Sequence, residues 1–160
     1  MAWSGWLIDR WQKYIRFTPV ERNLVFLSMI LLPIIQIGIQ LGGLSLVQTI
    51  LFRIKKLFYR PLPSLRDSDI VPSIVRVVKI TGCISLFQPS CLTISLCTWF
   101  LLLMYGIETE LRIGIARSRG TFIAHAWIEQ AGQVLNDRPD IQNFFSPFDA
   151  SINTCTAGKI

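Results

Sequence analysis

The chain has 160 residues, is 51% hydrophobic and only 16% charged, and carries a net charge of +6. That length allows one domain, or one small domain with an appendage, and the apolar content excludes a disordered polypeptide. The charge is unevenly spread: residues 1 to 60 hold eight basic side chains (Arg10, Lys13, Arg16, Arg22, Arg53, Lys55, Lys56 and Arg60) against Asp9 and Glu21. An acidic partner or an anionic membrane surface suits that asymmetry. Nucleic acid does not, because the basic residues flank an apolar block instead of forming a polar stripe.

In chain order, Trp3, Trp6 and Trp11 come first, among basic residues. Thr18-Pro19-Val20-Glu21 then predicts a helix start, with Thr18 as N-cap, Pro19 at the first helical position and Glu21 closing a capping box. This helix is expected to reach about Gln40 with a kink at Pro33. Gly42-Gly43 interrupts it, and a second helix is expected from about Leu44 to Tyr59. No charged side chain occurs from Leu24 to Phe52. Three readings of that block stay open: a helical hairpin buried against protein, peripheral contact with a membrane, and a transmembrane span, against which Gln36, Gln40, Gln48 and the glycine pair weigh. Residues 61–74, with Pro61, Pro63 and mixed charges, read as a linker between an N-terminal helical region, 1–60, and a domain over 75–160. A helix is expected over Pro72 to Ile80. Ser90-Cys91 opens an apolar helix that Gly106 ends. Leu111 to Ala116 and Thr121 to Glu129 alternate like strands about a polar turn, and a third strand is expected over Gln133 to Asp137.

The cysteines are Cys83, Cys91, Cys97 and Cys155. None are spaced as Cys-x-x-Cys, and the single histidine completes no zinc set, so neither metal nor cofactor is expected. The apolar block starts too late and runs too long for a secretory signal, which points to reduced thiols in the cytoplasm, with membrane association through residues 1–60 left open. Cys91 alone sits at a helix start, where unpaired amides and the helix dipole favour a thiolate. Cys97, six residues on, faces elsewhere. The histidine, His125, lies in a strand. A three-residue loop Gln130-Ala131-Gly132 would pair Glu129 with Gln133 and so set His125 opposite Asp137. The carboxylate would then hold one imidazole nitrogen and leave the other to deprotonate a thiol. Gln88, three residues before Cys91, is a candidate oxyanion donor beside the Cys91 amide. Trp127 and Glu129 share the strand face of His125 and are candidate substrate contacts.

Ser90-Cys91-Leu92, Tyr105-Gly106-Ile107 with Leu111-Arg112-Ile113-Gly114-Ile115, Ala124-His125-Ala126-Trp127-Ile128-Glu129 and Val134-Leu135-Asn136-Asp137 resemble the transglutaminase-like cysteine proteases. Among these the pattern is similar to the lasso peptide leader peptidases, over about residues 75 to 145. The resemblance implies an α+β, papain/transglutaminase-like core, in which the cysteine-bearing helix packs on a small antiparallel sheet, with an N-terminal apolar helical region. It also implies a Cys91–His125–Asp137 triad that removes the leader of a ribosomally made precursor peptide through a Cys91 thioester. A separate leader-recognition protein and a macrolactam synthetase are the partners it implies. A transglutaminase-like acyltransferase and a non-catalytic membrane-associated scaffold are the alternative readings.

Overall fold

A computed structural model describes residues 18–58, 67–118 and 120–147. Among the described residues, three helices, α1 (Pro19–Phe58), α2 (Asp67–Ile84) and α3 (Cys91–Met104), precede the antiparallel strands β1 (Glu110–Ser118), β2 (Thr121–Gln130), β3 (Gln133–Val134) and β4 (Ser146–Pro147). The strand order is β3-β2-β1-β4. This is the expected α+β arrangement of a cysteine-bearing helix on a small antiparallel sheet.

The capping box forms as the sequence predicts. The Thr18 amide donates to Glu21 Oε2 at 2.9 Å, and the Glu21 amide donates to Thr18 Oγ1 at 3.3 Å. Glu21 is also buried and ion-paired with Arg76 of α2, so the cap ties two helices together. The interruption of α1 falls at Gly43, whose φ of 72° and ψ of 178° leave the helical region, while Pro33 stands inside helical backbone. Glycine adopts that positive φ without a Cβ clash. Beyond it the chain bends back: a Cβ on Gly38 would stand 2.8 Å from Val47 Cγ2. Nine residues of straight helix would separate those positions by about 13 Å.

Helix α2 begins at Asp67 and carries Ile70 and Ile74 into the core, so residues 67–74, expected as linker, are helical. Its apolar residues Ile74, Val77 and Val78 recur at helical spacing and are fully buried. Helix α3 is buried on nearly every side and is the centre of the molecule, with Leu96, Cys97, Leu101 and Leu102 at 0% exposure. Each such buried side chain contributes about 1.5–3 kcal/mol. Trp99 meets Phe52 of α1 edge to face, with ring centroids 5.2 Å apart. The helix ends where Gly106 predicts: the Ile107 amide reaches back to the Leu102 carbonyl at 3.0 Å, closing the last turn.

Among the described residues, α1 is the helix long and apolar enough to cross a membrane by length and composition, and a third of its most apolar window is buried within the protein. Its inner face, including Leu24, Leu32 and Ile35, belongs to the core shared with α2 and α3.

Candidate active site

Cys91 is the first residue of α3. Ser90 caps the helix from an extended backbone (φ −67°, ψ 161°), its hydroxyl accepting from the Thr93 amide at 3.2 Å. The amides of Cys91 and Leu92 belong to the first turn, which a helix leaves without internal partners. A second residue reaches this turn from α1: Gln36 Oε1 accepts from the Ser90 amide at 3.4 Å and from the Thr93 hydroxyl. An amide N–H can only donate, which fixes the Gln36 oxygen on this side of its carboxamide.

The other described cysteines are differently placed. Cys97 is fully buried, and burial pushes its thiol up to about 12, so it stays protonated. Cys83 is exposed and Cys91 half-buried. Cys155 lies outside the described residues.

His125 and Asp137 are brought together: Nε2 donates to Asp137 Oδ2 at 2.7 Å, leaving Nδ1 as the free imidazole nitrogen. The expected hairpin register does not produce this contact. β2 and β3 pair Gln130 with Gln133 and Glu129 with Val134, a two-residue loop in which Ala131 and Gly132 take φ of 49° and 79°. One residue of slip carries every side chain to the other face, and continued pairing would have set Asp137 away from His125. β3 instead ends at Val134. The Leu135 amide still bonds the Ile128 carbonyl at 2.9 Å, but the Ile128 amide donates to the side-chain Oδ1 of Asn136 at 2.7 Å. The chain bends out of the ladder over residues 135–137, and the bend returns Asp137 to His125.

Asn136 also joins this bend to the cysteine helix. Its Nδ2 donates to Ser95 Oγ at 2.8 Å, and Ser95 donates to the Ala126 carbonyl at 2.9 Å. Ser95 stands one turn after Cys91 on the same side of α3, so one buried network fixes that side of the helix against β2 beside His125. Cys91 and His125 are not themselves hydrogen-bonded, and catalytic pairs are often loose before substrate binds. Asn136 and Ser95 escape sequence reading because each looks ordinary, one a turn residue and one a helix residue.

The His125 ring lies between Phe145, 5.1 Å away, and Trp127, 6.3 Å away and nearly parallel. Burial acts to raise the Asp137 pKa, but the hydrogen bonds from His125 and the Arg138 amide, with the charges of His125 and Lys79, hold the carboxyl below its usual range.

Trp127 and Glu129, the candidate substrate contacts, are both buried. Trp127 is fully buried and Glu129 only 6% exposed. Glu129 accepts from Trp127 Nε1 at 2.6 Å, Gln142 Nε2 at 2.7 Å and Arg112 Nε at 3.3 Å, so the face they share with His125 is closed by neighbouring side chains. Gln88 is exposed and lines a cavity of about 320 Å³ with Gln36 and Gln40. A larger cavity of about 500 Å³ lies between α2 and residues 134–135 and includes none of Cys91, His125 and Asp137. The described residues hold no cluster of three or more side chains suited to a metal ion.

The model of the transglutaminase-like superfamily matches residues 44–148. The chain is 29% identical over 85 residues to the Microcin J25-processing protein McjB of Escherichia coli, covering 53% of this chain and 40% of that protein. The chain therefore spans less than half the length of that relative. No solved structure matches it.

Proposed function

This chain belongs to the transglutaminase-like superfamily, and on that premise we propose that it is a cysteine peptidase that removes the leader from a ribosomally made lasso precursor peptide. The observation that carries the reading is the His125–Asp137 hydrogen bond, at 2.7 Å, on the strand edge against which the turn bearing Cys91 is fixed. A processing protein among its relatives supports the substrate class.

In this mechanism Nδ1 of His125 takes the Cys91 proton and the thiolate attacks the scissile carbonyl carbon. The oxyanion forms at the open end of α3, where the Cys91 amide, and Gln88 if its loop turns inward, donate to it. The imidazolium protonates the leaving amine, and the acyl group remains as a Cys91 thioester. A water deprotonated by His125 then releases the acid and restores the thiol. Asp137 holds the imidazole tautomer throughout. No cofactor enters. A leader-recognition protein and a macrolactam synthetase are the proposed partners.

Incubating the chain with precursor and recognition protein tests the proposal by mass spectrometry. A free leader fragment, absent with Cys91→Ala, is expected. The superfamily also suggests transfer of the acyl group to an amine in place of water, and an amide-linked product would identify that reaction. Processing that continues at the wild-type rate with Cys91→Ala would leave the scaffold reading.

A further inference from the structure

The outward face of α1 is unlike that of an ordinary surface helix. A helix with one face in the core normally turns polar residues to water. Here Phe26, Met29, Ile34 and Ile37 are 67%, 49%, 57% and 51% exposed. The loop before Cys91 continues the pattern, with Leu86 at 97% and Phe87 at 63%. Exposed apolar surface of this extent marks a binding face.

Two cavities lie along it. One, of about 320 Å³, is lined by Gln36, Ile37, Gln40 and Gln88 with Pro33 and Phe87. The other, of about 210 Å³, shares Pro33 and Phe87 and adds Met29, Leu32 and Leu86 among its walls. Sharing those two side chains makes them neighbours along one face, and together they fall within the size range of ligand sites. The 320 Å³ cavity adjoins the start of α3, because Gln36 in its wall bonds the N-cap Ser90 and, in the first turn, Thr93. Gln88 stands three residues before Cys91.

We propose that the two cavities form a groove that binds the peptide substrate, extended, on one side of the bond that Cys91 attacks, with apolar side chains over Pro33 and Phe87 and the peptide backbone read by Gln36, Gln40 and Gln88. The proposal rests on the peptidase reading for its substrate. The chemistry favours a peptide over a lipid headgroup. Carboxamides both donate and accept, as a peptide backbone does, and no charged side chain lines either cavity. The N-terminal helix is then a wall of the substrate site and not an appendage to it.

A matched pair of tripeptidyl chloromethyl ketones tests this, with leucine or aspartate at both positions ahead of the reactive residue. Each alkylates a thiolate as chloride leaves, and the labelling rate of Cys91 is read by peptide mass mapping. The leucine reagent is expected to label about tenfold faster or more. Phe87→Ala and Ile37→Ser, both at exposed positions, are expected to cut that preference below about threefold, with labelling by iodoacetamide unchanged. Equal rates for the two reagents, or a preference that survives both substitutions, would overturn the groove. So would a surviving preference accompanied by loss of binding to phosphatidylglycerol vesicles in Phe87→Ala, which would assign the face to lipid. If iodoacetamide labels Cys91 no faster than Cys83, the peptidase reading fails by itself. The groove is then read separately, by titrating the non-reactive methyl ketone analogues against Cys91→Ala protein, where equal affinity for leucine and aspartate forms would reject it.

Discussion

His125 Nε2 and Asp137 Oδ2 lie 2.7 Å apart although the two residues are not partners in the sheet, and a bend, not a strand, delivers the carboxylate. The contact fixes which nitrogen is free and holds the ring in place. Asp137→Ala is expected to lower kcat for precursor cleavage about 10²- to 10³-fold with little change in KM, since the tautomer and orientation are lost. Asp137→Asn is expected to stay within about tenfold of wild type, because its amide oxygen still accepts from Nε2–H. Equal losses in the two variants would mean that charge, not orientation, is what Asp137 supplies.

Asn136 makes that bend possible. Its Oδ1 takes the Ile128 amide that a third strand would have paired, and its Nδ2 reaches Ser95 on the cysteine helix. Asn136→Ala leaves a buried amide and a buried hydroxyl short of partners, at a cost of about 2–3 kcal/mol. A fall in Tm of roughly 4–12 °C is expected by calorimetry. Ser95→Ala removes both bonds of its hydroxyl, from Asn136 Nδ2 and to the Ala126 carbonyl, and is expected to cost about 2–3 kcal/mol as well. Because Asp137 rides on the same bend, Asn136→Ala should also lower kcat, whereas a Tm drop with unchanged kcat would separate the bend from the site.

These residues show where sequence reading succeeds and where it stops. The Thr18 box, the Ser90 cap and the Gly106 stop are local patterns whose chemistry is complete within a few residues, and each forms as read. The hairpin loop was not legible, because Ala131 pays a steric penalty at positive φ and a three-residue loop with glycine as its left-handed member avoids it. The long-range link from Asn136 to Ser95, 41 residues apart, favours the tighter loop nonetheless. The partners of Glu129 were not legible for a related reason. Alternation placed it on the His125 face, but only the fold brings Arg112 and Gln142 to close that face over it. The linker reading of 67–74 failed because Asp67 and Asp69 in the first turn of α2, with Arg66 before them in the sequence, resemble a polar connection.

Gly114 pairs with His125 across β1 and β2, and its missing side chain is occupied space. A Cβ there would stand 2.8 Å from Trp127 Cη2 and 2.8 Å from Phe145 Cβ. Those are the two aromatics that flank His125, and Trp127 is further held by its bond to Glu129. Gly114→Ala is therefore expected to destabilise the fold by about 1–3 kcal/mol in urea titration. It should also blueshift or redshift the indole emission as Trp127 is displaced. A neutral effect on both would mean that the aromatic layer is looser than its contacts indicate.

Acid should weaken the same corner of the molecule. Burial acts to raise the Asp137 pKa, but the bonds from His125 and the Arg138 amide, with the charges of His125 and Lys79, leave it below the ordinary 3.8. A carboxyl whose folded pKa lies below its unfolded value stabilises the fold fully above the unfolded value, and loses that contribution as pH falls through the folded one. The stability difference between wild type and Asp137→Ala should thus shrink once pH drops below the ordinary carboxylate range. Glu21 obeys the same sign: burial opposes its ionisation, but the Thr18 amide and Arg76 hold it below 4.5. Glu21→Gln should show its own narrowing of the difference, at the cap of α1. Thermal melts of the three proteins across pH 7 to 2.5 distinguish the cases, and a difference that widens on acidification would mean that burial outweighs the hydrogen bonds at that carboxylate.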